Sequence, residues 1–368
     1  WYHFSGKQYQ VWMFSDSTVM KENIVKFFES ILLQVAWIGI IPLLIGIAVS
    51  FMKSKTLFFG IIILILTCIA YAVNYSIHDI ESYFVTAFAG LMLFIGIGLW
   101  KFAKMVPNLA YALLALPVIS LALNYNYNDR SDDYLVPEYT KILFQKLEPN
   151  AMILSSQWDF WVSAAWYMQR IDGFRTDVVI IDKELLRRTW YLDQIKRWYP
   201  ERIKSCEEAI NDYLVDLELF ESGRDYSPVS IQSKFISLLN CFVDENYEEY
   251  PCYLTLDVIE TEQEAFTGYT KIADGLAFRL SKDNIPRHVT TDDIDIRKFT
   301  ESLQANEGYL VDAIRAGTAI SFVNVGRYAL MNGDKKEARR TFEKGYKIDP
   351  ANRFVIDAIN NFNNTRFE

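Results

Sequence analysis

Four long apolar runs, all before Asn128, constrain this chain more than any other feature of its sequence. They cover residues 30–52, 57–77, 83–100 and 105–124. Each is close to the roughly 20 residues that a helix needs to cross the hydrocarbon core of a bilayer. None has a charged residue in its middle, which also argues against a transporter with ionisable groups inside its spans. The charge lies after residue 128, although the chain as a whole is 51% hydrophobic. The pattern predicts a membrane half, residues 1–128, followed by a water-soluble half.

The loops between the runs predict an orientation. Lys53 and Lys55 lie in the first loop, and Lys101 and Lys104 in the third, whereas the second holds His78, Asp79 and Glu81. The positive-inside rule places the lysine loops in the cytoplasm, so the acidic loop and everything after Asn124 fall outside. Residues 17–29, with Val19, Met20, Ile24, Phe27 and Phe28 near helical spacing, predict an interfacial helix or an extension of the first span. The chain starts at Trp1 with no signal-peptide pattern, and reads as truncated at its N-terminus.

Past the membrane half, residues 129–320 read as an α/β domain. Residues 151–155 and 178–181 are short apolar runs flanking a helical stretch, the pattern of a β-α-β unit with a parallel pair. Residues 253–257 and 276–280 are candidate third and fourth strands. The turn after the first strand, Ser156, Gln157, Trp158 and Asp159, contains no Gly-rich phosphate loop, so dinucleotide and nucleotide chemistry are not supported. Residues 321–368 read as one tetratricopeptide-like hairpin, with Gly326, Ala338, Phe342 and Pro350 at the repeat's offsets and Gly333 and Asp334 at the turn. The expected fold is thus a bundle of four transmembrane helices, an extracytoplasmic α/β domain and a helical repeat.

The net charge of −9 argues against nucleic acid. Cys206, Cys241 and Cys252 fall in the soluble half without metal-ligand spacing, so no zinc site is expected; a Cys241–Cys252 disulfide or buried free thiols remain open. Gly96 and Gly98, inside a span, predict a close helix contact.

Three stretches together resemble one family. Residues 4–14 read Phe-Ser-Gly-Lys-Gln-Tyr-Gln-Val-Trp-Met-Phe, residues 74–84 contain the acidic loop, and residues 173–178 read Gly-Phe-Arg-Thr-Asp-Val ahead of Leu185, Leu186, Trp190 and Tyr191. They resemble the DUF2723 family of bacterial multi-spanning proteins, whose animal relative is a transmembrane protein O-mannosyltransferase. Thr86 stands where the family pattern has Pro, and Gln10 where a basic residue is common. The resemblance implies a GT-C glycosyltransferase in the bacterial inner membrane, its soluble domain in the periplasm. Such a protein moves a sugar from a polyprenyl-phosphate donor to an extracytoplasmic protein or glycan acceptor. It also implies that the catalytic acid lies upstream of Trp1.

Within the chain, His78, Asp79, Glu81 and Tyr83 are the substrate-binding candidates, since acids and a His at the membrane surface suit a sugar, a divalent metal near a phosphate carrier, or a proton transfer. The bland alternative is a solvated hairpin. Trp158 and Asp159 at the end of the first strand, with Arg175, are secondary candidates. Against them stand a helix cap at Asp159 and a structural Arg175–Asp177 pair. The rival function is a non-enzymatic envelope scaffold that binds partners through its α/β and repeat regions.

Overall fold

The computed structural model describes residues 13, 17–34, 37, 39–77, 79–107, 115–283 and 285–364. The chain divides into two compact units, Trp1–Ser131 and Asp132–Glu368.

The first unit is helical: α1 (Ser17–Gln34), α2 (Ile40–Lys53), α3 (Lys55–Ala72), α4 (Val85–Met105) and α5 (Ala115–Asn128). A 3-10 turn, Ile80–Phe84, leads into α4, so that Ile80–Met105 is continuous helix. Among the described residues two helices, Lys55–Ala72 and Ile80–Met105, are long and apolar enough to cross a membrane. By this measure two of the four expected spans are shown among the described residues. At 1.5 Å per residue the 14 residues of α2 reach about 21 Å, short of the hydrocarbon thickness. Residues 108–114 of the fourth run lie outside the described residues.

The helix expected at 17–29 continues to Gln34 and is packed rather than free. Buried Asn23 donates from Nδ2 to the carbonyls of Val73 and Tyr75, at 3.3 and 3.1 Å, just after α3. Phe27 stacks on Phe88 at 5.5 Å. The glycines of α4 divide the expected contact between them. A Cβ on Gly98 would overlap the Pro42 carbonyl, and one on Gly46 the Phe94 carbonyl, so these two glycines let α2 and α4 touch backbone to backbone. Gly96 faces open space instead.

The second unit is built on a five-stranded mixed sheet: β1 (Met152–Ser155), β2 (Val179–Asp182), β3 (Cys252–Thr255), β4 (Thr270–Asp274) and β5 (Ala277–Ser281). Their order is β2-β1-β3-β5-β4. β1 pairs in parallel with both β2 and β3, and β5 pairs antiparallel with β3 and β4. The β-α-β unit lies where the apolar runs place it. The third strand is shorter than its sequence pattern suggests, ending at Thr255 where a helix begins, and β4 was not anticipated.

Strand alternation sorts the core into two faces. Ile153, Ile180 and Tyr253 point to one face, against α6 (Leu135–Lys146), the turn of Trp161 and Val162, α7 (Ser163–Arg170), α13 (Arg297–Ala305), α14 (Tyr309–Met331), α15 (Lys335–Ile348) and α16 (Arg353–Asn364). Met152, Leu154, Val179, Ile181 and Leu254 point to the other, against α8 (Thr189–Trp198), α9 (Pro200–Ile203), α10 (Glu207–Glu221) and α11 (Pro228–Asp244). The result is a three-layer sandwich. α14 and α15 form a hairpin over residues 322–350, with the Phe342 ring filling the space that a side chain on Gly326 would need.

The disulfide joins Cys206, at the start of α10, to Cys241 in α11. Of the two readings left open by the sequence, the Cys241–Cys252 pair is thereby excluded, and of the three cysteines the free thiol holds for Cys252 alone. Cys252 points into the core as a buried free thiol, because β3 aims it at the face that carries Leu254.

Candidate functional site

β1 occupies the point where the sheet changes direction. The chain leaves it through α7 on one face to reach β2, then returns through α8 to α11 on the other face to reach β3 on β1's opposite side. Where neighbouring parallel strands send their connections apart, a crevice opens beyond their carboxyl ends. Here it lies past Ser155 and Thr255.

The groups that meet there come from three elements. Asp257, in the first turn of α12 (Leu256–Thr261), accepts from the Ser156 backbone N–H at 2.8 Å and from the Ser156 hydroxyl through one oxygen. Its other oxygen accepts from Gln157 Nε2 at 2.7 Å. Gln157 Oε1 in turn accepts from the Tyr139 hydroxyl of α6 at 2.9 Å. Burial, and then the charge of Asp257, push the Tyr139 phenol well above its ordinary range, so it stays a donor. The Gln157 carbonyl accepts from both Trp161 and Val162, each at 3.0 Å, which widens the helix start into a π-turn. Such bulges occur often at functional positions. A cavity of 270 Å³ opens over this latch, bounded by Phe160 and Glu260 and roofed by Ile314, Gly317 and Ser321 of α14.

A second polar cluster lies along the same sheet edge and holds the far end of α12. Lys183, 2% exposed, gives its three ammonium donors to Glu262 at 2.8 Å, Glu184 at 2.6 Å and Thr261 Oγ1 at 3.0 Å. Thr261 Oγ1 donates back to the Asp257 carbonyl at 2.8 Å. Arg187 also reaches Glu262, at 3.3 Å. With Asp257 holding its start and Glu262 just past its end, the short helix α12 presents Glu260 to the cavity.

Asp182, at the end of β2, completes the edge. It is fully buried; Oδ1 accepts from the Leu185 N–H at 2.8 Å and Oδ2 has no partner. Burial pushes its carboxyl from the ordinary 3.8 up to about 6. A carboxyl that holds its proton more tightly when folded destabilises the fold most above pH 6, and that cost is relieved as pH falls towards 4. Asp182→Asn should therefore be more stable than wild type at pH 7, by up to about 3 kcal/mol. The advantage should vanish near pH 4. Urea unfolding of the two proteins across this range measures it. Asp274, also raised to about 6 by burial, is common to both proteins and cancels.

The residues singled out from sequence fall in both units. Asp79, Glu81 and Tyr83 belong to the first unit; Trp158, Asp159 and Arg175 belong to the second. His78 lies outside the described residues, as do residues 4–12 and Phe14 of the N-terminal stretch. Asp79 and Glu81 are exposed, and neither carboxylate has a partner among the described residues. Tyr83 packs edge-on against Tyr75 at 5.1 Å. Trp158 is 43% exposed and packs edge-on against Trp166 at 5.5 Å, outside the cavity lining. Asp159 makes no capping hydrogen bond among the described residues; it is exposed in the first turn that follows Gln157.

Arg175 belongs to the opposite edge of the sheet. Its five N–H groups go to Asp177, at 2.9 and 3.0 Å, and to the carbonyls of Phe144, Leu147 and Glu148. It has no donor left for a ligand, and it closes the end of α6. The residues that sequence reasoning passed over are Tyr139, Ser156, Gln157, Asp257 and Glu260. Ser156 and Gln157 were visible as the turn after β1. Asp257 was hidden inside the supposed third strand. Among the described residues no cluster of His, Cys, Asp and Glu is arranged to hold a metal ion.

Residues 137–202, from within α6 to α9, match the TMEM260-associated domain 2 family. No DUF2723 match accompanies it, so the resemblance drawn from the three sequence stretches is withdrawn. No curated protein and no solved structure matches the chain. The matched segment contains Tyr139, Ser156, Gln157, Asp182 and Lys183, the β1 and β2 side of the crevice. The match and the two long apolar helices mark a membrane protein.

Proposed function

We infer that this chain is the membrane-embedded carrier of an α/β unit that works outside the cytoplasm, and that the switch-point crevice is that unit's ligand site. The crevice carries the inference: Glu260, Asp257, Gln157, Tyr139 and Ser156 supply acceptors and donors beside the Phe160 ring. That combination suits a hydroxyl-rich ligand such as a glycan. The outside location is supported by the Cys206–Cys241 disulfide, a bond that persists in oxidising compartments. The split between Lys53, Lys55, Lys101 and Lys104 at one end of α3 and α4 and Asp79 and Glu81 at the other supports it too. On this view residues 30–52, 57–77, 83–100 and 105–124 make four crossings of a bacterial inner membrane.

The activity proposed is transfer of a sugar from a polyprenyl-phosphate donor to an extracytoplasmic protein or glycan acceptor, with the crevice as an acceptor-recognition site. Asp79 and Glu81, exposed at the head of the long apolar helix and without a partner among the described residues, would meet the sugar of the lipid-linked donor. The test is sugar release and transfer by the intact parent protein in detergent. A side chain on Gly317 meets nothing within 4 Å, so Gly317→Leu should fill the crevice and raise the KM for acceptor at unchanged kcat. Asp79→Asn or Glu81→Gln should lower kcat about 100-fold or more if either carboxylate acts in proton transfer. No transfer by the wild type from any polyprenyl-phosphate sugar would remove the enzymatic activity.

In that event the second proposal takes over, a membrane-anchored scaffold. The α14–α15 hairpin favours it, together with a groove of 540 Å³ between α15 and α16 that exposes Tyr346, Pro350 and Ile359. There residues 322–350 would serve as a tetratricopeptide-like docking element, and partner capture would be indifferent to Asp79→Ala.

A further inference from the structure

The membrane unit holds a second concave feature, remote in the chain from the crevice. Two residues before the Gly98 contact, Gly96 has nothing within 4 Å of where its side chain would be. Its bare backbone is the floor of a slot of 460 Å³ between α2, α3 and α4. Val49, Leu57, Met92 and Ile97 form the walls. Ser50 also lines it, but its hydroxyl is spent on the Gly46 carbonyl at 2.7 Å, which leaves the interior apolar. From Met92 to Trp100 the slot follows two turns of α4, about 12 Å along the helix axis.

Its mouth is basic. Lys53 and Trp100 line that end, with the Lys53 ammonium 5.8 Å and the Lys104 ammonium 4.2 Å from the Trp100 ring centroid. Lys55 and Lys101 are their chain neighbours. None of the four lysines has a carboxylate partner among the described residues. The described acids of residues 40–107, Asp79 and Glu81, lie at the opposite ends of α3 and α4. A slot that is dry inside and positively charged at its mouth has the polarity of a phosphate-headed lipid lying along a helix.

We propose that this slot binds one acyl chain of an anionic phospholipid whose phosphate is held by Lys53 and Lys104 beside Trp100. The lysines supply selectivity for charge, and the gap at Gly96 supplies room for the chain. Ordinary boundary lipid would share the apolar contact but not the preference for an anionic head.

The test uses the whole chain in detergent and native mass spectrometry of lipid retained from mixtures of phosphatidylglycerol and phosphatidylcholine. Phosphatidylglycerol should be retained over phosphatidylcholine, and Lys53→Gln should lower that preference about fivefold, the worth of one lysine near an anionic surface. Gly96→Leu should abolish retention by filling the slot. Gly60→Leu, at a glycine of α3 that is equally open and outside the slot, should leave it unchanged. Soluble glycerol phosphate should not displace the lipid, because the head group alone lacks the chain. Equal retention of the two lipids, unchanged retention in Gly96→Leu, equal loss in Gly60→Leu, or displacement by glycerol phosphate would each overturn the proposal.

Discussion

Removing the Cys206–Cys241 bond should cost the α/β unit about 4 kcal/mol. The bridge closes a loop of 35 residues, and the chain-entropy relation for that length gives this figure. The bond ties the start of α10 to α11, whose Phe235, Leu238, Leu239 and Phe242 cover one face of the sheet. In a unit of this size a loss of that order lowers the melting temperature by about 10 °C. Thermal unfolding with and without a thiol reductant tests it. The reductant should lower the transition of wild type and leave a Cys206→Ser, Cys241→Ser double variant where it already is. A wild type that ignores the reductant would show that the two sulfurs are not bonded.

Glu262→Ala should cost about 3–5 kcal/mol, because it strands a buried charge. Lys183 is 2% exposed, and its remaining carboxylate partner, Glu184, is half in solvent. The same change leaves Arg187 with Glu184 as its one acidic partner among the described residues and removes the anchor at the end of α12. Replacing both members of the pair, Lys183→Met with Glu262→Leu, should cost less than Glu262→Ala alone, since no uncompensated charge is left in the interior. Urea unfolding of the three proteins decides the matter. A double variant at least as unstable as Glu262→Ala would mean that the cluster acts through packing rather than charge.

The layout of the fold was legible where burial is complete. β1 and β2 are apolar on both faces, as strands covered by helices on both sides must be, and they flank a helix. β4 sits at the sheet edge, and its Thr270, Lys271 and Asp274 alternate with apolar residues too weakly to stand out. Asp274 and Gly275 carried the hairpin signal, and Gly275 takes the corner at φ +64°. The disulfide could not be chosen from spacing, because three cysteines in one region allow any pair until the strand that buries Cys252 is known. In the membrane unit, Gly96 and Gly98 lie on different sides of α4, 200° apart at 100° per residue, so only Gly98 could share a contact with Gly46.

The candidate site was less legible, for a geometric reason. Its latch joins Ser156 and Gln157 to Asp257, about 100 residues away in the chain, and depends on β3 lying beside β1. Tyr-Leu-Thr-Leu-Asp alternates like a strand, which concealed that the chain turns into α12 at Leu256. Arg175 and Trp158 stood out as polar and aromatic residues near strand ends. They are at opposite ends of strands four residues long, about 13 Å apart along the sheet.

Every function proposed for this chain requires the second unit to stand on the far side of the membrane from the lysine loops. Two exposed positions report on that directly: Met331 at the end of α14, 86% exposed, and Lys55 at the start of α3. A membrane-impermeant maleimide applied to intact cells should label Met331→Cys and leave Lys55→Cys unlabelled until the membrane is permeabilised. Labelling of Lys55→Cys in intact cells, with Met331→Cys protected, would contradict the outside placement of the α/β unit and of the ligand site it carries.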